Sequence, residues 1–180
     1  MRIAVLGAGS IGCLIAAKLV EAGHEVLVHA RGEHGAILAI SGLKVSGVWD
    51  FEVSPNQWTV SLDEAGIHPS LEKSFDQSII TCKAKDTEKL SQIAALITDG
   101  PVLSLQNGLG NLEILSGFVF ENSAVGVTTN AVKRIAPGQI EWVGKGSISV
   151  GGPKGEIFAE TLSMFETVHS EDLSAIIWNK

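Results

Sequence analysis

Directly after the apolar segment Ile3 to Leu6, the chain reads Gly7-Ala8-Gly9-Ser10-Ile11-Gly12. In a strand-turn-helix setting each glycine has a physical task. Gly7 allows the tight turn, Gly9 lets a pyrophosphate approach the backbone, and Gly12 lets the helix pack closely on the strand. The loop, completed by Ala8, Ser10 and Ile11, then offers helix N-terminal N–H groups to a diphosphate. A G-x-G-x-x-G match is weak by itself in a chain with 20 glycines; the strand before it and the helix after it give it weight. The alternative is a tight turn with no ligand. The next apolar segment ends His29-Ala30-Arg31. Sites for NAD place an acid there to accept from the ribose 2′-hydroxyl, whereas an arginine fork pairs with the extra 2′-phosphate of NADP. The arginine argues equally against FAD and S-adenosylmethionine. Glu33 stands nearby, and a solvated surface charge is the other reading of Arg31.

Open α/β sheets bind ligands beyond the carboxyl ends of their strands. Lys83 follows the strand ending at Cys82, Gln106-Asn107-Gly108 follows the strand ending at Leu105, and Thr128-Thr129-Asn130 follows a further strand. A cation, an amide and hydroxyls at three strand ends make a rim suited to a small anionic substrate. Each has a plainer role available: Lys83 and Lys85 as a solvated turn, Asn107-Gly108 as a turn pair, Thr128 as a strand cap. Asp172 can cap a final helix whose apolar residues are Leu173, Ile176 and Ile177, and Lys180 shares their face. A lysine so placed points into a cleft, where desolvation would lower its pKa toward general-acid use. Spacing alone favours a frayed helix end.

The elements that must position these residues follow from periodicity. Ile3 to Leu6 predicts a strand. Ile11, Leu14, Ile15 and Leu19 predict a helix closed by Gly23, and Glu25 to His29 a second strand, giving a right-handed βαβ unit. Residues 42–60 read as short strands and turns, while 63–74 resist assignment. Gln77 to Cys82 and Pro101 to Leu105 predict buried strands. Helices are expected from about Asp86 and over about Leu109 to Leu115, then a strand over Ala124 to Thr128. Between 131 and 151 short β-like pieces suggest an antiparallel extension of the sheet. A closing helix is expected to turn Phe158, Leu162, Phe165 and Val168 inward. The expected fold is α/β: a Rossmann-like doubly wound, mainly parallel sheet with an antiparallel extension.

Composition narrows the function classes. The 180 residues suffice for one buried domain, 45% of them hydrophobic. Net charge is −7 with dispersed lysines and arginines, so no stripe suits a nucleic-acid backbone or a membrane surface. Cys13, Cys82 and the five histidines lack metal-ligand spacing; no metal is expected, and a reducing cytoplasmic setting is. With no tyrosine in the chain, the Tyr-Lys pair of short-chain dehydrogenases is impossible.

Taken together, MRIAVLGAGSIG, HAR with Arg31, TCKAKDT with Lys83, LQNGLGN with Asn107, GVTTNA, and IIWNK with Lys180 resemble the ketopantoate reductase (2-dehydropantoate 2-reductase) family, in order and across the whole chain. The resemblance implies NADPH-dependent reduction of 2-ketopantoate to pantoate, on the way to coenzyme A. It implies that Arg31 meets the 2′-phosphate, that Lys83 and Asn107 line the cofactor and substrate site, and that Lys180 is the general acid, with Asn107 orienting the reacting groups. It divides the chain into an NADP-binding Rossmann domain over residues 1–169 and the start of an interdomain helix over 170–180. The family's all-helical second domain would then be absent from these 180 residues and supplied in cis or trans, and a homodimer is the implied assembly. The alternatives are a reductase of another 2-oxoacid and a regulatory module that binds NADPH without chemistry.

Overall fold

The computed structural model describes residues 1–106 and 110–172. The chain opens with β1 (Arg2–Leu6), α1 (Ser10–Glu21) and β2 (Glu25–Ala30). β1 and β2 pair in parallel, Arg2 opposite Glu25 through Leu6 opposite His29. As the spacing predicts, α1 ends at Gly23: its φ is +82°, and the N–H groups of Gly23 and His24 return to the carbonyls of Val20 and Leu19. That pattern closes a helix where only glycine turns left-handed without strain.

After β2 come α2 (Gly32–Ser41), β3 (Leu43–Gly47), β4 (Phe51–Val53) and β5 (Thr59–Leu62). β6 (Gln77–Ile80), α3 (Thr87–Ile97), β7 (Val102–Leu105), α4 (Asn111–Val119) and β8 (Ser123–Thr128) follow. The last group is β9 (Ala131–Ala136), β10 (Gln139–Gly144), β11 (Ser147–Gly151), α5 (Gly155–Thr161) and β12 (Glu166–His169).

Eight strands form the main sheet in the order β12-β11-β8-β7-β6-β1-β2-β5. From β1 the chain winds outward through β2 to β5, then returns to place β6 on β1's other side. The crevice between the carboxyl ends of β1 and β6 is therefore the topological switch point, where doubly wound sheets bind ligands. Every pairing from β5 through to β8 is parallel.

Two expectations need correction. Of the pieces between 131 and 151, β11 alone extends the main sheet, antiparallel on β8; β9 and β10 leave it and join β3 and β4 in a second sheet, ordered β4-β3-β10-β9. The cause is a long-range parallel pairing of β10 with β3, Gln139 opposite Lys44. The closing helix also stops at Thr161, and Glu166–His169 is a strand running parallel to β11. Phe158, Leu162 and Phe165 are buried as expected, but Val168 is exposed. Helix α2, over a stretch that periodicity left unassigned, is a further addition.

Helix α1 lies between the sheets, packed on β1 and β2 on one side and on β3, β4, β9 and β10 on the other. Its buried residues, Gly12 to Ala17 and Leu19, accordingly run around most of its circumference, as a doubly covered helix requires. Across the main sheet the pleat divides the core. Ile3 and Val5 face α1, whereas Ala4 and Leu6 face a second cluster with Leu90, Ala94 and Ile97 of α3 and Leu115 of α4. No helix among the described residues is long and apolar enough to cross a membrane.

Candidate functional site

A cleft of about 810 Å³ opens at the switch point. Gly7 to Gly9 form one wall, His29 to Arg31 another, and Thr81 to Lys83 with Lys85 and Asp86 a third, while Arg134 to Pro137 on the second sheet overhang it. Its volume lies within the range that cofactors and other small ligands occupy.

The glycine turn is built as its spacing implies. Gly7 has φ +108°, and a Cβ on Gly12 would overlap the Gly7 carbonyl oxygen. Thr81 Oγ1 donates to that same oxygen at 2.7 Å, clamping the turn to the end of β6. At Gly9, by contrast, a Cβ would meet nothing within 4 Å, so the protein itself leaves room there for a ligand. The donors also divide. Gly7 and Ala8 N–H both bond the His29 carbonyl and Gly9 N–H bonds the Gly7 carbonyl, while the first helical bond runs from Cys13 N–H to Gly9 O. That leaves the first-turn N–H groups of Ser10, Ile11 and Gly12 directed out of the helix N-terminus. Gly7, Ala8 and Gly9 shape the cleft wall; Ser10, Ile11 and Gly12 supply the free donors, and Gly12 is buried.

Charge in the cleft opposes that of the chain. Five cations, Arg31, Lys83, Lys85, Lys89 and Arg134, face three carboxylates, Glu33, Asp63 and Asp86, within a protein of net charge −7. An anionic ligand therefore meets favourable potential here. Arg31 occupies the N-cap position of α2 at the end of β2, and its Nη2 lies 3.1 Å from Asp86 Oδ2. Lys83 is exposed at the end of β6. Neither Lys83, Lys85 nor Arg134 has an ion pair among the described residues.

Two buried histidines stiffen the walls. His29 bonds Ser61 Oγ through Nδ1 at 3.1 Å and Asp63 Oδ1 through Nε2 at 3.2 Å. Burial holds its pKa below the ordinary value, against the opposing pull of Asp63. Asp63 in turn binds Lys89 at 2.6 Å, and that hydrogen bond keeps its carboxyl below the usual range. His34 Nδ1 accepts from Gly138 N–H at 3.0 Å, so its proton sits on Nε2, which faces Cys13 Sγ at 3.4 Å. Burial lowers its pKa too. His34 thus braces the glycine turn against the second sheet.

At the neighbouring strand ends, Gln106 is the organiser. Its Oε1 accepts from Ser104 Oγ at 2.7 Å, and its Nε2 donates to the Cys82 carbonyl at 2.8 Å and to Thr87 Oγ1 at 3.0 Å. The carboxyl ends of β6 and β7 are locked together with the start of α3. Cys82 lines the cleft half-buried, and burial pushes its thiol up to about 11, away from the thiolate form. The hydroxyl of Thr128 donates to the Ser147 carbonyl at 3.1 Å, and Asn130 Oδ1 accepts from Trp142 Nε1 at 3.1 Å; this group ties strands together instead of lining the cleft. Asn107 and Lys180 lie outside the described residues, as do all but three residues of the segment 170–180.

Sequence reasoning named the glycine turn, Arg31 and Lys83. It missed Asp86, Asp63, Lys89 and His34, whose roles come from partners 21 to 55 residues away, and Arg134, whose only signal was a cation on a short β piece.

The family described as ketopantoate reductase PanE/ApbA matches residues 3–155. The chain belongs to this family. A 2-dehydropantoate 2-reductase of Pyrococcus abyssi is 35% identical over a 190-residue alignment covering 100% of this chain and 60% of that relative. One from Archaeoglobus fulgidus is 32% identical, covering 97% of this chain and 55% of that relative. Among solved structures, a D-mandelate dehydrogenase with NADH and anilino(oxo)acetate superposes with a TM-score of 0.85 at 28% identity, covering 98% of this chain and 59% of that one. A ketopantoate reductase family member from Ralstonia eutropha gives 0.83 at 27% identity, covering 99% and 59%. The chain thus matches the Rossmann-like part of ketopantoate reductases and spans about 60% of the length of such relatives.

Proposed function

We propose that this chain is the NADPH-binding part of a 2-oxoacid reductase whose substrate is 2-ketopantoate, reduced to pantoate. The observation that carries the cofactor assignment is Arg31 at the carboxyl end of β2, at the mouth of a cleft rich in cations. The residues present fit a phosphorylated dinucleotide. The first-turn N–H groups of Ser10, Ile11 and Gly12 suit its diphosphate, Gly9 leaves the space, and Arg31 suits a 2′-phosphate. A bound reduced nicotinamide supplies the hydride for a carbonyl carbon.

The chain's own residues bind, orient and transfer protons. Lys83 is exposed after the end of β6, and its proposed role is to attract a substrate carboxylate or a cofactor phosphate. Asn107 follows β7, and its proposed role is to orient the reacting groups. Lys180 is the proposed general acid, donating to the developing alkoxide. The family's helical domain, in cis or trans, would close the substrate side, and a homodimer is the proposed assembly. Other 2-oxoacids are the second reading, favoured by the structural likeness to a mandelate dehydrogenase bound to NADH and anilino(oxo)acetate.

The test is consumption of NADPH by the chain joined to, or mixed with, a helical domain from a family member, across a panel of 2-oxoacids. Turnover highest with 2-ketopantoate supports the proposal. Turnover with another 2-oxoacid only, or NADPH binding with no turnover on any of them, contradicts it.

A further inference from the structure

The donors that would meet a 2′-phosphate are already held by carboxylates. Asp86 takes Arg31 with both oxygens, Nη2 to Oδ2 at 3.1 Å and Nη1 to Oδ1 at 3.5 Å. Beside it, Glu64 Oε1 accepts from Gly32 N–H at 2.7 Å, at the first residue of α2. Asp86 is the sheltered partner of its pair, with 22% side-chain exposure against 60% for Arg31, so the guanidinium comes to the carboxylate. The pair bridges the cleft from the end of β2 to the start of α3, and both charges are felt at Cys82 on the β6 wall.

A 2′-phosphate entering this corner must share Arg31 with Asp86 and lie close to two negative groups. An unmodified ribose meets the opposite situation, because a carboxylate accepts from a 2′-hydroxyl. Resting on the cofactor reading above, we propose that Asp86, seconded by Glu64, is the determinant that limits selectivity for a 2′-phosphorylated adenosine ribose. It holds Arg31 in the free protein and keeps an acceptor in place for the unphosphorylated dinucleotide. The acid that NAD sites carry at the end of the second strand is here supplied from the start of α3, 55 residues from Arg31.

The experiment titrates NADPH and NADH into the wild-type chain and into the Asp86→Asn, Asp86→Ser and Arg31→Ala variants at one ionic strength, reading nicotinamide fluorescence. Asn keeps the side-chain shape without the charge, and Ser is a favoured residue at the N-cap position of α3 that Asp86 occupies, so one variant covers for the other's folding. Both Asp86 variants should tighten NADPH by about fivefold, the scale of an exposed ion pair, with NADH unchanged or weaker. A ratio of the two affinities that stays level or falls in both variants overturns the inference. If Arg31→Ala weakens NADPH and the Asp86 variants leave the ratio level, only the Asp86 assignment is lost. If Arg31→Ala leaves NADPH unchanged, the cofactor reading falls with it.

Discussion

Alanine at Gly9 and alanine at Gly12 should fail in different ways, because the structure assigns one glycine to the ligand and the other to the fold. Gly9 has φ −76° and ψ −168°, which alanine adopts freely, and its added methyl meets no atom within 4 Å. Because Gly9 is also the N-cap of α1, where alanine is disfavoured by about 0.5–1 kcal/mol, the gain of about 0.4–1 kcal/mol through the unfolded chain is offset, and Gly9→Ala should leave stability nearly level. At Gly12 the methyl would overlap the Gly7 carbonyl oxygen and lie 2.5 Å from Thr81 Oγ1. The turn has little freedom to yield, since Thr81 Oγ1 is bonded to the same carbonyl at 2.7 Å. Overpacking of about 3 kcal/mol, the upper end for a fixed neighbour, less about 1 kcal/mol of helix propensity, leaves a loss of about 2 kcal/mol. In a chain of this size that lowers Tm by about 4–8 °C. Binding should order the variants differently. The Gly9 methyl separates a diphosphate from the helix N-terminus, and losing two charge-assisted hydrogen bonds weakens NADPH and NADH alike by at least about two decades. Thermal melts with fluorescence titration on both variants check this. A Gly9→Ala protein that binds at wild-type affinity, or melts as low as Gly12→Ala, refutes the division of roles.

Arg31→Ala should weaken NADPH by about one to two decades while leaving NADH nearly unchanged, as measured by competitive titration; equal weakening of both contradicts the role of Arg31. His29 and His34 both titrate below 6.5 in the folded protein, chiefly through burial. Between those lowered values and 6.5 the unfolded chain binds more protons, so stability is fully present above pH 6.5 and falls as pH drops through the folded pKa values. Urea unfolding from pH 8 to pH 5 should show that decline; rising stability over the same interval would contradict the buried neutral imidazoles. Burial raises Cys13 to about 12 and Cys82 to about 11, so a disulfide reagent at neutral pH should react with the folded chain roughly two decades more slowly than with the unfolded one. Fast labelling of Cys82 in the native protein would show the cleft wall to be open, and fast labelling of Cys13 would show that α1 is not held between the sheets.

The parts of the site legible in the sequence are those imposed by backbone sterics within a few residues. Gly7, Gly9 and Gly12 could be assigned tasks because a strand-turn-helix junction has few solutions, and Arg31 because it ends a recognisable strand. The second sheet was not legible, since β3 and β10 are joined by a register of Lys44 with Gln139 that no local pattern encodes. Phe158, Leu162 and Phe165 carry a helical spacing, yet the helix covers only the first of them. The later two are buried from the turn between α5 and β12, because pairing of β12 with β11 outweighs local periodicity. The same reason hid Asp86 and the His29–Asp63–Lys89 chain. Each is an ordinary charged or polar residue until the fold brings its partner across the cleft.

The central claim, a phosphorylated dinucleotide seated at the switch point with Arg31 on its 2′-phosphate, is tested most directly by titrating this chain with NADPH and NADH side by side at fixed ionic strength, following nicotinamide fluorescence. Saturable binding of both with a clear preference for NADPH is the predicted result. A preference for NADH, or binding of neither, would contradict it.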